Sequence, residues 1–358
     1  MSSSRLRVAV LFGGRSSEHS ISCISASGVL RALDPQKYDV MAIGITTDGR
    51  WLRVDPTADF SLDGISLPHV PEQGDCAALS PDPAQLRAQL GDIDVVFPVL
   101  HGPWGEDGTV QGLLELSAVP YVGSGVLASA AGMDKITMKV LLAHAGLPVG
   151  PFVGITDRQW TANAKDALVR ASQLGLPMFV KPARAGSSRG ISKVKQLAQL
   201  ADAIDQARSH DPRVIVEAGV QAGREIECGV LVLAEGAVSA SRCAEIVVGG
   251  QHEFYDFEAK YLEDSAELIV PAALDPAVEK RIQSLAIEAF EALGCEGLAR
   301  VDFFIAPDGE ILINEVNTMP GFTPISMFPR MWQASGLSYP EILDALVADA
   351  VRRGTGLR

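Results

Sequence analysis

A parallel-sheet α/β unit followed by two α+β units is the architecture this sequence predicts, and three observations predict it. The chain opens with a buried strand, "LRVAVLF", a glycine loop, "GGRSSEHS", and a helix, "ISCISASGVLRAL". Strand, glycine loop, helix is an α/β start. Near Met133 the pattern changes to an amphipathic helix and short strands around a glycine-serine loop. Farther on, Asp308-Gly309 lies between two apolar runs, a strong signal for a two-residue hairpin. The expected divisions are an N-terminal unit over 1–130, a small central unit over 131–224 and a C-terminal unit over 225–358.

In the first unit, "YDVMAIGIT" and "DIDVVFPVL" read as further buried strands, and "VQGLLELS" as a helix. Loops at the carboxyl ends of such strands are where ligands usually bind. The dinucleotide pattern GxGxxG is absent. Residues 55–90 read as an irregular insertion with a short helix. In the central unit, "MDKITMKVLLAHAG" is a helix stopped by Gly146 and Pro148. A helix, "KDALVRASQLG", a strand, "LPMFVKPA", a loop, "RAGSSRG", and a strand, "ISKV", follow. A helix at about 196–208 leads to the strands "RVIVE" and "REIECGVLVL". The last unit holds a polar loop over 249–265, a helix over 275–293, the hairpin and terminal helices.

The chain has 358 residues, 47% of them hydrophobic, which is enough for two or three domains with a large core. A net charge of −14 disfavours nucleic-acid or anionic-membrane binding, although a local basic pocket can still hold a small anion. Five scattered cysteines point to a reducing compartment and buried thiols. No signal peptide or membrane-length apolar run is seen, so a cytoplasmic location is expected.

The hairpin carries the first chemical argument. With Asp308 and Gly309 as the loop, Pro307 pairs with Glu310. Counting outward puts Asp302 opposite Glu315 and Arg300 opposite Asn317. Like charges directly opposite on a sheet repel, so something positive is expected between the acids. Oxygen ligands alone suggest a hard cation such as Mg²⁺, which typically takes one or two carboxylates plus substrate phosphates. The plainer reading is a solvated acidic face.

Other fragments are weak singly. Lys181 ends a strand before a Gly/Ser loop whose backbone N–H groups could cradle phosphate, yet it is not a P-loop. Lys135, alone, is a surface lysine. Glu217 and Glu225 could hold ribose hydroxyls or an adenine amino group, or be strand-end charges. "FYDFEAKYLEDSAE" mixes aromatics with acids over a long polar loop and reads as a lid closing on substrate.

Taken in order, "MDK", "VKPARAGSS", "FEAKY", "ARVDF" and "INEVNTMPGFTPISMFP" resemble the ATP-grasp ligases. With "LFGGRSSEHSIS" and "HGPWGEDGTVQG" ahead of them, nearly the whole chain resembles the D-alanine–D-alanine ligase family. The resemblance implies an ATP-grasp fold preceded by an N-terminal parallel-sheet domain. It also implies ATP as co-substrate, two Mg²⁺ or Mn²⁺ ions, D-alanine as substrate, and a homodimer. The first D-alanine would form an acyl phosphate, which the amine of the second would attack.

By the same resemblance Asp302, Glu315 and Asn317 hold the metals. Lys135, Lys181, Ser188, Glu217, Val220, Glu225 and Lys260 bind ATP. Arg300 and Gly321 serve the oxyanion and substrate. Glu18 anchors the first ammonium, and Ser187 and Tyr261 join it in a chain that pins the lid. Ser326, at a helix N-terminus suited to an anion, binds the second carboxylate, and His101 lies near the first substrate. Without the resemblance, Glu18 could be a helix cap, as could Ser17 or Ser20, and Arg300 could pair with Asp302 or Glu315.

Arg189 stands where the family usually has a small apolar residue, the lysine often found after Glu217 is missing, and Phe257 replaces a frequent tyrosine. Lys260-Tyr261 favours an amine as second substrate over D-lactate, while D-serine remains an alternative. A catalytically silent nucleotide-binding protein is the reading from another class; loss of the metal ligands or of Arg300 would mark it, and all are present.

Overall fold

The structure is a computed structural model describing residues 5–58, 60, 67–77, 82, 84, 85, 89, 91–186, 189–233, 236–248 and 266–356. Ser187, Ser188, Lys260, Tyr261, Phe257 and the expected lid at 249–265 lie outside the described residues.

The described strands form three sheets. In the first, β1 (Leu6–Gly13) pairs in parallel with β2 (Tyr38–Ile45) and β4 (Val95–Pro98), and β3 (Trp51–Val54) closes one edge in the order β3-β2-β1-β4. The expected parallel sheet is present in β2, β1 and β4, and β3 adds an antiparallel edge to it. Only five residues separate β2 from β3; that suits a tight turn and is too short for a crossover to a parallel strand. Helix α1 (His19–Ala32) follows β1, while α2 (Thr109–Leu116) and α3 (Val126–Met133) follow β4.

The second sheet is antiparallel, with β5 (Phe152–Ile155), β6 (Met178–Pro182), β7 (Ser192–Val194) and β8 (Val214–Ala218) in the order β5-β8-β6-β7. Helices α5 (Asp157–Ser172) and α6 (Leu200–Arg208) cover it through Trp160, Ala171 and Ile204, which meet Val180 and Val216. Thr156 and Gln159 form a capping box that starts α5 two residues after β5 ends. In chain order α4 (Lys135–His144) comes between the first two sheets, capped by Asp134, whose side chain accepts from the Thr137 amide at 2.9 Å.

The third sheet joins β9 (Arg224–Val232), β10 (Val238–Val248), β11 (Ala266–Ile269), β12 (Leu298–Ile305) and β13 (Ile311–Asn317) in the order β11-β10-β9-β12-β13. Helix α7 (Pro276–Ala292) packs on one side of it with Met138 and Leu142 of α4. On the other side lie α8 (Met327–Ala334) and α9 (Tyr339–Arg353). Tyr339, Ile342, Leu346 and Ala350 of α9 share one core with Val8, Val10 and Phe12 of β1 and Val29 of α1. The end of the chain therefore completes the core of its beginning.

The hairpin register corrects one expectation and keeps another. The Ala306 amide donates to the Glu310 carbonyl at 2.8 Å, so the loop has three residues, Pro307, Asp308 and Gly309, and Pro307 does not face Glu310. Gly309 takes φ +91°, the left-handed position that three-residue hairpins need. Ile305 then pairs with Ile311 and Phe303 with Ile313, one step away from the expected register. A bulge at Asn314 restores the count, and Asp302 faces Glu315 while Arg300 faces Asn317, as the sequence predicts. Because of the bulge, Ile313 and Val316 are both buried in the core, with the partly exposed Asn314 and Glu315 between them.

Candidate active site

A single cavity of about 950 Å³ opens where the three sheets meet. Its lining includes Glu18 and His101 from the first unit, Lys135, Lys139, Lys181 and Glu217 from the middle, and Glu227, Arg300, Asp302, Glu315, Asn317 and Ser326 from the third sheet and its loop.

Across β9, β12 and β13 the register lines up three acids in one row: Asp302 faces Glu227 on one side and Glu315 on the other. Cations offset this repulsion. Arg300, two residues before Asp302 and thus on the same face, donates from Nε to Asp302 Oδ1 at 2.7 Å and from Nη2 to Oδ2 at 2.8 Å. Its Nε also lies 3.2 Å from Glu227 Oε1. Burial would lower the Arg300 guanidinium, but Asp302 and Glu227 raise it well above its ordinary value. Opposite Arg300 stand Gly229 and Asn317. The space a side chain at Gly229 would need is taken by Trp332, whose Nε1 would lie 2.9 Å from a Cβ there, and the Asn317 amide donates to Asp302 Oδ2 at 3.1 Å.

Glu315 is paired with Lys135 at 3.2 Å, and Lys135 also donates to the Ala185 carbonyl at 3.2 Å. Burial pulls the Lys135 ammonium down; Glu315 overrides this and raises it. Lys139 lies one helical turn after Lys135 on the same face of α4. It meets Glu217 Oε1 at 2.8 Å, while Lys181 meets Oε2 at 2.6 Å. Burial pushes the Glu217 carboxyl up, but the two ammonium groups prevail and hold it down at about 2.

Glu18 occupies the N-cap of α1, yet its side chain makes no cap hydrogen bond. The carboxylate points instead toward two glycines. A Cβ on Gly186 would lie 2.6 Å from Glu18 Oε2, and one on Gly102 would lie 2.7 Å from the same atom. Glu106 also lines the cavity, accepting from the Gly102 amide at 2.7 Å. Burial and the nearby Glu18 push its carboxyl up to about 8.

His101 has both ring nitrogens engaged: Nδ1 lies 3.2 Å from the Met319 carbonyl and Nε2 lies 3.1 Å from Ser25 Oγ. A carbonyl can only accept, so Nδ1 carries the proton in the neutral ring. Burial lowers the His101 pKa. The ring thus braces the loop that carries Gly321, because the Phe322 amide donates to the same Ser25 Oγ at 3.4 Å. His19 of the "EHS" motif is likewise engaged, its Nδ1 2.7 Å from the Gly14 carbonyl and its Nε2 3.1 Å from the Val70 amide. Ser326 caps α8 and keeps its hydroxyl within 3.0 Å of the Thr323 amide and 2.7 Å of Thr323 Oγ1.

The geometry therefore gathers Glu18, His101, Lys135, Lys181, Glu217, Val220, Glu225, Arg300, Asp302, Glu315, Asn317, Gly321 and Ser326 around one cavity. Sequence reasoning missed Lys139, Glu227 and Glu106. The signals were present: Lys139 is four residues after Lys135, Glu227 is two after Glu225 on one strand face, and Glu106 lies inside "HGPWGEDG". Asp302, Glu315 and Asn317 form an oxygen-only donor set that fits a hard cation completing its shell with phosphate and water. One of the five cysteines departs from the expectation of buried thiols, because Cys76 is exposed in the irregular segment after β3.

The comparisons with known proteins agree on one family. Models described as D-ala D-ala ligase N-terminus and D-ala D-ala ligase C-terminus match residues 7–124 and 141–348. A D-alanine–D-alanine ligase of Mycobacterium sp. strain JLS is 56% identical, with 99% of this chain and 98% of that protein covered. Among solved structures, the VanG D-Ala:D-Ser ligase from Enterococcus faecalis is 37% identical with a TM-score of 0.82, covering 97% of this chain and all of that one. The D-alanine–D-alanine ligase from Coxiella burnetii is 35% identical with a TM-score of 0.77, covering 98% of this chain and 94% of that one. The chain belongs to the D-alanine–D-alanine ligase family.

Proposed function

We propose that the chain is an ATP-dependent ligase that joins two D-alanines into D-alanyl-D-alanine, releasing ADP and phosphate, for peptidoglycan precursor synthesis. The observation that carries this reading is the cavity wall itself, where Lys135 meets Glu315, Lys139 and Lys181 meet Glu217, and Arg300 meets Asp302. Bringing a carboxylate to a triphosphate is opposed by charge, and preorganised cations lower that barrier.

In the proposed reaction a carboxylate oxygen of the first D-alanine attacks the γ-phosphorus, and the bond to ADP breaks. The amine of the second D-alanine then attacks the acyl carbonyl, and the tetrahedral intermediate expels phosphate. Lys135 and Lys181 turn from Glu315 and Glu217 toward the phosphates. Glu217 and Glu225 lie toward the adenosine, with the backbone around Val220 reading the base. Ser188 and Lys260 belong to the same ATP-binding proposal. Arg300 and the Gly321 amide face the developing oxyanion. Glu18 receives the first ammonium, in a pocket kept open by Gly102 and Gly186, and Ser187 and Tyr261 close the lid over it. Ser326 receives the second carboxylate. Asp302, Glu315 and Asn317 would hold two Mg²⁺ or Mn²⁺ ions, which neutralise phosphate charge when bound. A homodimer in the cytoplasm completes the proposal.

The test is ADP release and product identity with Mg²⁺ and D-alanine alone, compared with D-alanine plus D-serine or D-lactate. Dipeptide from D-alanine alone is expected. The D-serine arm matters because a D-Ala:D-Ser ligase shares this fold, and preferential formation of the D-alanyl-D-serine product would move the assignment there. ATP binding with no turnover in any arm would overturn the ligase reading.

A further inference from the structure

Lys135, Lys139, Lys181 and Arg300 each meet a carboxylate in the cavity wall, and the proposed function gives three of them a role in the reaction. The remaining one is Lys139, and its setting is unusual. Its side chain is 4% exposed, deeper than Lys181 at 13% and Lys135 at 15%. Long flexible ammonium side chains are costly to bury unless paired. Among the described residues Lys139 pairs with Glu217 Oε1 at 2.8 Å. The other oxygen of the same carboxylate is gripped by Lys181 at 2.6 Å. Glu217 is itself only 6% exposed.

One buried carboxylate thus holds two ammonium groups of unequal accessibility. The more accessible one, Lys181, is next to last in β6, ahead of the glycine-serine loop, where phosphate would arrive. If Lys181 leaves for the phosphates, Glu217 would be stranded as a buried, unpaired anion unless a second cation stays. Lys139 is built to stay. Its helix is fixed at both faces: Met138 and Leu142 sit in the core of the third sheet, and Asp134 at the N-cap pairs with Arg213 Nε at 2.7 Å.

We propose that Lys139 is a positioning residue for the nucleotide, the resident counter-ion of Glu217 that releases Lys181 to bind phosphate. The proposal rests on the ATP-dependent ligase reading. A merely structural staple between α4 and β8 would give stability without bearing on how tightly ATP is held. A counter-ion gives a specific signature instead. Removing it makes Lys181 the sole partner of a buried carboxylate, so every recruitment of Lys181 strands Glu217. ATP then binds weakly, while D-alanine binding is untouched. Neutralising Glu217 in the same molecule lifts the penalty.

The experiment measures ATP binding by calorimetry and steady-state ADP release for the wild type, Lys139→Met, Lys139→Arg, Glu217→Gln, and Lys139→Met combined with Glu217→Gln. Thermal unfolding of each is recorded beside them. Expected are a rise in KM for ATP of about tenfold or more for Lys139→Met, a change in kcat of less than about threefold, and an unchanged KM for D-alanine. Lys139→Arg should stay within about threefold of wild type in KM for ATP, since the charge is kept, and in the Glu217→Gln background Lys139→Met should cost less than about threefold in ATP affinity, because no buried anion is left to strand. A folded Lys139→Met with wild-type KM for ATP overturns the proposal, as does a Lys139→Met that costs as much in the Glu217→Gln background as in the wild type. Should Lys139→Met not fold, Lys139→Gln takes its place with the same criteria. If the wild type itself neither binds nor turns over ATP, the functional reading falls, and this proposal falls with it.

Discussion

Arg300 holds Asp302 through two parallel hydrogen bonds of 2.7 and 2.8 Å, from a position two residues earlier on the same strand. The grip explains how an arginine can sit buried in a row of acids without being neutralised, and it fixes the guanidinium plane at the cavity. A planar fork of this kind is not reproduced by lysine. Arg300→Lys is expected to keep the fold and the affinity for ATP within about threefold, yet lower kcat by about a hundredfold or more. Arg300→Ala should go further and lose about 3 kcal/mol of stability, because Asp302 and Glu227 would be left buried without it. Parallel loss of ATP affinity and rate in the lysine variant would sink the oxyanion role.

Gly186 offers a steric test of Glu18. A methyl group there would meet the carboxylate at 2.6 Å, and the side chain would have to swing out of its pocket. Gly186→Ala should raise KM for the first D-alanine by about tenfold, the worth of a charge-assisted hydrogen bond. KM for ATP should hold. Equal effects on both substrates would point to a collapsed loop, not to a displaced anchor.

Glu217 makes the fold sensitive to acid. Its carboxyl is held at about 2 in the folded chain, below the ordinary 4.5. Between those two values the unfolded state binds more protons than the folded one, so stability rises with pH there. The contribution is complete above about pH 4.5 and is lost as pH falls toward 2. Urea unfolding midpoints of wild type and Glu217→Gln, measured from neutral pH into this window, should converge as the pH falls. A gap that does not change with pH would show that Glu217 is not the titrating group.

Asp302→Asn tests the metal reading. The substitution keeps the shape and the hydrogen bond from Asn317 to Oδ2 can be retained in part, but one negative charge is gone from the row. Half-saturation of turnover by Mg²⁺ should shift upward by about tenfold or more, with lowered kcat, as expected where a carboxylate ligand of a hard cation is removed. An unchanged Mg²⁺ dependence would place the ion elsewhere.

Much of the site was legible in the sequence because its residues ride on punctuated elements. Asp308-Gly309 announced the hairpin, and Ser326 and Glu18 sit at helix starts as read. The facing of Asp302 and Glu315 was reached through two one-residue departures that cancel, a loop longer by one and a bulge at Asn314. Dipeptide composition cannot separate a two-residue turn from a three-residue turn ending in glycine, and a bulge depends on packing against the neighbouring segment, here the Pro148 carbonyl that accepts from Ile313 at 2.8 Å. The Lys139–Glu217–Lys181 cluster was invisible for another reason. Its members come from α4, β8 and β6, and no local period links 139, 181 and 217. The antiparallel edge strand β3 was missed because four residues carry too little pattern.

Asp344 of α9 accepts from Tyr38 Oη at 2.7 Å, while Ile342, Leu346 and Ala350 lie on the apolar side of β1 and α1. A ribosome making this chain delivers those residues some three hundred positions after the surface they cover. The opening sheet must therefore wait, greasy side uncovered, until synthesis is almost over. Prematurely terminated products lacking 339–350 would carry that bare apolar surface permanently, the kind of exposure that promotes aggregation.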